Sequence, residues 1–178
     1  MNDIELRGRA RSLGDDVNTD YIIASTRKRD TLDERELARY LLETLDPTFA
    51  ASVRQGDLLV AGRNFGCGSA MEVAATVILA AGVRAVVAKS FARTFYRNAV
   101  NNGLIPVECD TSDIVEGDVL AIRLGEREVS VRNERSGCLT NGLPLPRFMR
   151  EVLVAGGLVP YLRERGGSFD PVDHGMLT

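Results

Sequence analysis

The chain has no tryptophan, one histidine and three cysteines in 178 residues, and each scarcity removes a class of chemistry. His174 lies in a polar C-terminal stretch, so a His-centred triad or a histidine metal site has no support. Cys67, Cys109 and Cys138 are odd in number and widely spaced. They suit a reducing compartment better than a disulfide scaffold, and no CxxC pair points to zinc. Their spacing gives little support for an iron–sulfur cluster in this chain, so they read as buried or half-buried thiols and no metal ligand is expected. Long apolar runs are also missing, since glycine and charge interrupt each one well short of a membrane span. No basic, apolar and small-residue progression opens the chain, which makes a cytoplasmic location the expectation. The net charge of -3 gives no global pull toward nucleic acid or membrane.

What is present describes a globular protein, with 44% apolar and 26% charged residues. The length fits a single domain over residues 1–165 with a polar tail over 166–178. Residues 4–10 read as a short strand, and Gly14-Asp15-Asp16 as a turn before Asp20 and a short apolar run. Asp33, with Glu36 three residues on, predicts a capped helix through Leu45, its inward face carrying Leu37, Tyr40, Leu41, Thr44 and Leu45. Asp46-Pro47 stops it. Strand Leu58–Ala61, a glycine-rich turn, a broadly apolar helix Ala70–Ala81, strand Ala85–Ala88 and a helix over about Phe91–Val100 follow as one unit. Ile105–Glu108 returns as a strand. Residues 117–135 alternate as a hairpin around Gly125, SGCLTNGLPLP reads as loop, and helices are expected from Pro146 to about Gly156 and over Val159–Arg165. The class is α/β with an antiparallel section.

The turn after Ala61 carries Gly62, Asn64, Gly66, Cys67 and Gly68, then Ser69. Ser69 has two readings. With Glu72 it forms an S-x-x-E capping box; its hydroxyl is also placed for chemistry beside free helix N–H groups and glycines that let a ligand approach. The loop matches neither the Walker A pattern nor G-x-G-x-x-G. Thr19 and Asp20 read as local backbone bonding or as a carboxylate at a cleft. Arg27, Lys28 and Arg29 read as a solvated cluster or as an anion-binding loop. Arg93 and Arg97 share a helical face suited to meeting carboxylates. No complete catalytic set is present, which fits a non-enzyme or half of a shared active site.

GRNFGCGS, then KSFARTFYRNAVNNGLIPVE, with NTDYII upstream, resembles the small subunit of 3-isopropylmalate dehydratase, the swivelling domain of the aconitase family. The resemblance runs from about residue 7 to GGLVPYL, and Tyr21–Asp57 resembles the shorter, archaeal-type subunit. It implies a swivelling β/β/α domain, a role in leucine biosynthesis, and a separate large subunit carrying a [4Fe–4S] cluster on three cysteines. In such enzymes a serine alkoxide of the swivelling domain removes a proton alpha to a carboxylate. Ser69 matches that serine, Thr19-Asp20 match the family's T-D pair, and Gly62, Asn64, Gly66, Cys67, Gly68 and Glu72 fall within the loop motif.

The chain departs from the family in the serine loop and again upstream of it. The family continues G-S-S-R-E-H-A, whereas this sequence has Gly68-Ser69-Ala70-Met71-Glu72-Val73-Ala74. The second serine and the arginine that grip a substrate carboxylate are gone, and methionine cannot replace a guanidinium. A customary upstream arginine is Thr26. Three readings follow: a hydro-lyase whose carboxylate clamp moves to Arg27, Lys28 or Arg29 with an altered hydroxy acid; an ordinary isopropylmalate-type subunit whose partner supplies the contacts; or a non-catalytic paralogue that binds and stabilises an aconitase-like large subunit. A nucleic-acid adaptor lacks a basic stripe.

Overall fold

A computed structural model describes residues 3–165. Seven strands form one mixed sheet: β1 (Ile4–Ser12), β2 (Leu58–Ala61), β3 (Ala85–Ala88), β4 (Ile105–Glu108), β5 (Val119–Leu124), β6 (Val129–Asn133) and β7 (Leu139–Gly142). Their order is β4-β3-β2-β1-β5-β6-β7. β1 is the shared strand. Its C-terminal part pairs parallel with β2, Ala10 opposite Leu58, and its N-terminal part pairs antiparallel with β5, Ile4 opposite Leu124.

Helices α1 (Thr19–Ile22), α2 (Glu34–Leu37), α3 (Phe49–Ser52), α4 (Val73–Ala80), α5 (Arg93–Asn102), α6 (Arg147–Val154) and α7 (Leu158–Glu164) surround the sheet. Two apolar clusters show how the layers stack. One face of the parallel strands, Leu59, Ala61, Val86 and Ala88, packs against Ile22, Leu37, Ala74 and Ile78 of the helical layer. The other face, Leu58, Val60, Val87 and Val107, packs against Leu120, Ile122, Leu124, Val129 and Val131 of the antiparallel strands. The sheet therefore folds over on itself, and the amide of Leu143, just past β7, donates to the Glu108 carbonyl at the end of β4. The layers are antiparallel sheet, parallel sheet and helices. β2 and β3 read as continuous apolar runs because both of their faces are covered.

Several expected elements take a different form. α2 ends at Leu37, a 3-10 turn covers Ala38–Tyr40, and Leu42 adopts φ 58°. The chain turns there because Leu41 and Leu42, which a helix would splay apart, are both fully buried. Thr44 and Leu45 are exposed rather than inward. Asp33 does cap α2, its carboxylate accepting from the amides of Arg35 and Glu36. α4 starts at Val73, not Ala70, and α5 at Arg93, because Phe91 still bridges to Phe65 as extended chain. Part of the segment read as loop is edge strand β7, whose pairing with β6 supplies what its weak strand propensity does not. The tail over 166–178, with His174, lies outside the described residues.

Candidate active site

The parallel half does not end where its strands end. Segments 13–19, 62–69 and 89–92 run on side by side beyond the C-terminal ends of β1, β2 and β3, joined main chain to main chain. Gly62 N donates to Gly14 O at 3.1 Å, Asp16 N to Arg63 O at 2.8 Å, Gly66 N to Val17 O at 2.8 Å and Thr19 N to Cys67 O at 2.8 Å. On the other side Lys89 N donates to Gly62 O at 3.0 Å and Phe65 N to Ser90 O at 3.0 Å. Ligand sites of open α/β sheets lie beyond this edge. Asp16 and Asn64 sit side by side at φ 53° and 58°, and Asn64 Nδ2 donates to Asp16 Oδ1 at 2.7 Å. Short polar side chains tolerate that left-handed conformation.

Two glycines have a packing reason. Gly66, at φ 77°, leaves space that the Phe95 ring fills; Gly68, at φ 91°, leaves space for the Asn18 side chain. Asn18 escaped the sequence reading, although Asn-Thr-Asp before an apolar run is an N-cap signal. Its Oδ1 accepts from Asp20 N at 2.9 Å, and its backbone bridges to Cys67.

These contacts bring Asp20 and Ser69 onto one rim. Thr19 is 1% exposed, and its hydroxyl donates to the Ser69 carbonyl at 2.9 Å. Its side chain is therefore closed off from solvent behind the exposed Ser69. Ser69 is exposed and does not cap α4. Met71 N donates to Ser69 O at 2.8 Å in a turn, and Met71 is drawn into the helical layer at 7% exposure. Glu72, freed from any capping box, accepts from Asn102 Nδ2 at 3.2 Å. The half-buried Asp20 accepts from Ser25 N at 3.2 Å, which ties the rim to the 3-10 turn Ser25–Arg29.

The three consecutive basic residues separate. Arg27 grips Glu43 with two bonds at 2.7 and 2.8 Å and lies 3.9 Å over the Tyr40 ring. That engagement raises its already high pKa further, chiefly through the Glu43 hydrogen bond. Arg29 is exposed. Lys28 turns toward the serine loop, its Nζ 3.3 Å from Met71 Sδ. Arg93 and Arg97 are exposed on α5. Cys67 is half-buried in the loop, while burial, aided by Asp110, pushes the Cys109 thiol up to about 12 and leaves it inert. Among the described residues, no three His, Cys, Asp or Glu side chains gather to hold a metal ion.

The family model described as the aconitase C-terminal domain matches residues 18–112, the stretch that holds the whole rim. The chain belongs to the aconitase family, among small subunits of the isopropylmalate dehydratase type. It is 47% identical over 166 residues to 3-isopropylmalate dehydratase small subunit 1 of Methanopyrus kandleri, covering 93% of this chain and 96% of that one. It is 46% identical over 161 residues to the methanogen homoaconitase small subunit of Methanocaldococcus jannaschii, covering 90% and 92%. A crystal structure of 3-isopropylmalate dehydratase from the same organism aligns with TM-score 0.86 at 44% identity, covering 92% of this chain and 96% of that one. The layered fold described above is thus the family's swivelling α/β domain. Two differently named activities stand at nearly equal identity, so overall similarity does not choose the acid.

Proposed function

We propose that this chain is the small subunit of a two-chain iron–sulfur hydro-lyase that dehydrates or isomerises a hydroxy di- or tricarboxylic acid, in the manner of 3-isopropylmalate dehydratase. The observation that carries the reading is the Thr19 hydroxyl bond to the Ser69 carbonyl, which fixes the acid-bearing and serine-bearing loops together on an exposed rim. The described residues do not assemble three thiolates, so in this reading the [4Fe–4S] cluster belongs to an aconitase-like large subunit. Bound there, it supplies a Lewis acid for the leaving hydroxyl.

The residues of this chain do the proton work. Ser69 Oγ takes the proton alpha to a carboxylate, and Asp20 orients or returns a proton across the rim. A serine hydroxyl is a weak base in water, and Ser69 is exposed in the single chain. Activity therefore requires the large subunit to close over the rim and exclude solvent. A second reading, a non-catalytic paralogue that stabilises the large subunit, is favoured by Ala70 and Met71, which offer a substrate carboxylate neither a hydroxyl nor a guanidinium. Anaerobic reconstitution with the cognate large subunit separates them. Turnover of some hydroxy acid, abolished in Ser69→Ala, is expected. Assembly without turnover on any di- or tricarboxylate selects the paralogue.

A further inference from the structure

We infer that Arg93 and Arg97, on the outward face of α5, form a basic contact that seats the carboxylates of an acidic surface on the aconitase-like large subunit. Both readings of the proposed function include that subunit, and the assignment rests on its presence. α5 begins where the rim ends. Ala92 N donates to Phe65 O at 2.9 Å, and the Phe95 ring fills the space over Gly66, so the first turn of the helix is fixed to the serine-bearing loop. Phe95 and Ala99 are buried in the helical layer, while Arg93 and Arg97, one turn apart, are exposed.

These two charges are poorly placed for the subunit on its own. α5, with the sequence RTFYRNAVNN, has no acidic residue, and its N-cap, Ala92, supplies no side-chain bond to the first turn. Arg93 lies in that turn, where a cation opposes the helix dipole, and like charges at i and i+4 repel. Each effect is small, but both run against the fold. Neither is offset by an ion pair among the described residues, whereas Arg9, Arg11 and Arg27 each hold a carboxylate. Carboxylates brought by another chain relieve both at once.

The shape of the patch separates a protein from a small anion. A convex helix face gives a free carboxylic acid no enclosure, whereas guanidinium groups on such a face meet the paired oxygens of Asp and Glu across protein interfaces. The patch flanks the rim over which the large subunit closes, so contacts there form in the same movement that covers Ser69. Opposite charge also draws the two chains together before they touch.

The test follows association of the full chain with the cognate large subunit, purified separately, over a range of salt concentrations. Arg93→Glu/Arg97→Glu is expected to lower the association rate constant about tenfold or more at low salt and to flatten its fall with ionic strength. With the charge kept, Arg93→Lys/Arg97→Lys stays within about threefold of the parent, since steering reads charge. The Glu variant of the isolated subunit melts no lower than the parent, because an acid in the first turn favours the helix. Association and salt dependence unchanged in the Glu variant overturn the assignment. So does a lower melting temperature in Arg93→Gln/Arg97→Gln, which would place the acceptors of both arginines within this chain. A KM for the hydroxy acid raised in the fully assembled complex, with association unchanged, gives the arginines to the substrate and overturns it too. A parent chain that binds no aconitase-like large subunit instead removes the proposed function itself.

Discussion

The two halves of the sheet share β1 and end in opposite ways. The parallel half runs on past its strands as three loops held main chain to main chain, and these bonds leave Ser69, Ala70 and Arg63 exposed. The antiparallel half closes in turns whose polar side chains bind one another. Asp118, 4% exposed, accepts from Val115 N, Asn133 Nδ2 and the Arg135 guanidinium; Arg7 pairs with Glu134, and Arg123 with Asp3. Where the backbone holds the chain, side chains remain available to a substrate. Where side chains hold it, few do.

The largest test of that division is Ser69→Ala. In the reconstituted complex it is expected to lower kcat about a thousandfold or more while the melting temperature of the subunit stays put, since an exposed hydroxyl stabilises little. Full turnover would strip the parallel rim of its role. The mirror experiment is Asp118→Ala, which takes the shorter of two acceptors from the buried Asn133 amide, leaving the Asp113 carbonyl at 3.3 Å, and removes the Arg135 pair. A loss of about 2–3 kcal/mol is expected, read as a Tm lower by roughly 5–10 °C, with turnover per folded molecule unchanged. The Arg135 hydrogen bond holds the Asp118 carboxyl well below the usual carboxylate range. Because its folded pKa is depressed, its contribution is complete above pH about 4 and disappears as the pH falls further. Acid unfolding curves of the parent and the variant should therefore converge at low pH. A constant gap between them would refute the linkage. Smaller again is Thr19→Val, which removes the hydroxyl donor to the Ser69 carbonyl and leaves that oxygen the Met71 amide alone. It should cost about 1–2 kcal/mol and lower kcat about tenfold with KM little changed, and Thr19→Ser should recover most of both. An unchanged kcat would mean that the bond does not position the serine.

The sequence made the parallel half legible because its strands are short apolar runs bounded by glycine, and β2, β3 and β4 fall within the expected residues. The helix starts were less legible. Ser69 and Glu72 match a capping box in the sequence, but a bond from Thr19, fifty residues away, and the burial of Met71 decide otherwise. Tertiary contacts outrank a local motif worth about 1 kcal/mol. The basic loop was legible as a cluster and not as a set of roles. Nothing in Arg27-Lys28-Arg29 says that the first meets Glu43 and Tyr40 while the second meets a sulfur. β7 was hidden because an exposed edge strand ending in Asn-Gly carries a turn's composition.

One buried charge stands outside this pairing. Arg150 of α6 is 1% exposed, packed beside the cluster between the two sheets, and its Nε and Nη1 have no hydrogen-bond partner among the described residues. An unpaired buried charge is costly, and replacing buried ionic groups by apolar ones of similar volume is often neutral or stabilising. Methionine has comparable length and adapts to irregular gaps. Arg150→Met is therefore expected to stabilise the subunit by about 1 kcal/mol, a rise of roughly 2–4 °C in Tm, without altering turnover in the complex. Scanning calorimetry on the parent and Arg150→Met decides it. A fall in Tm would mean that the guanidinium has an acceptor in solution and is held by its side-chain bonds as Asp118 is.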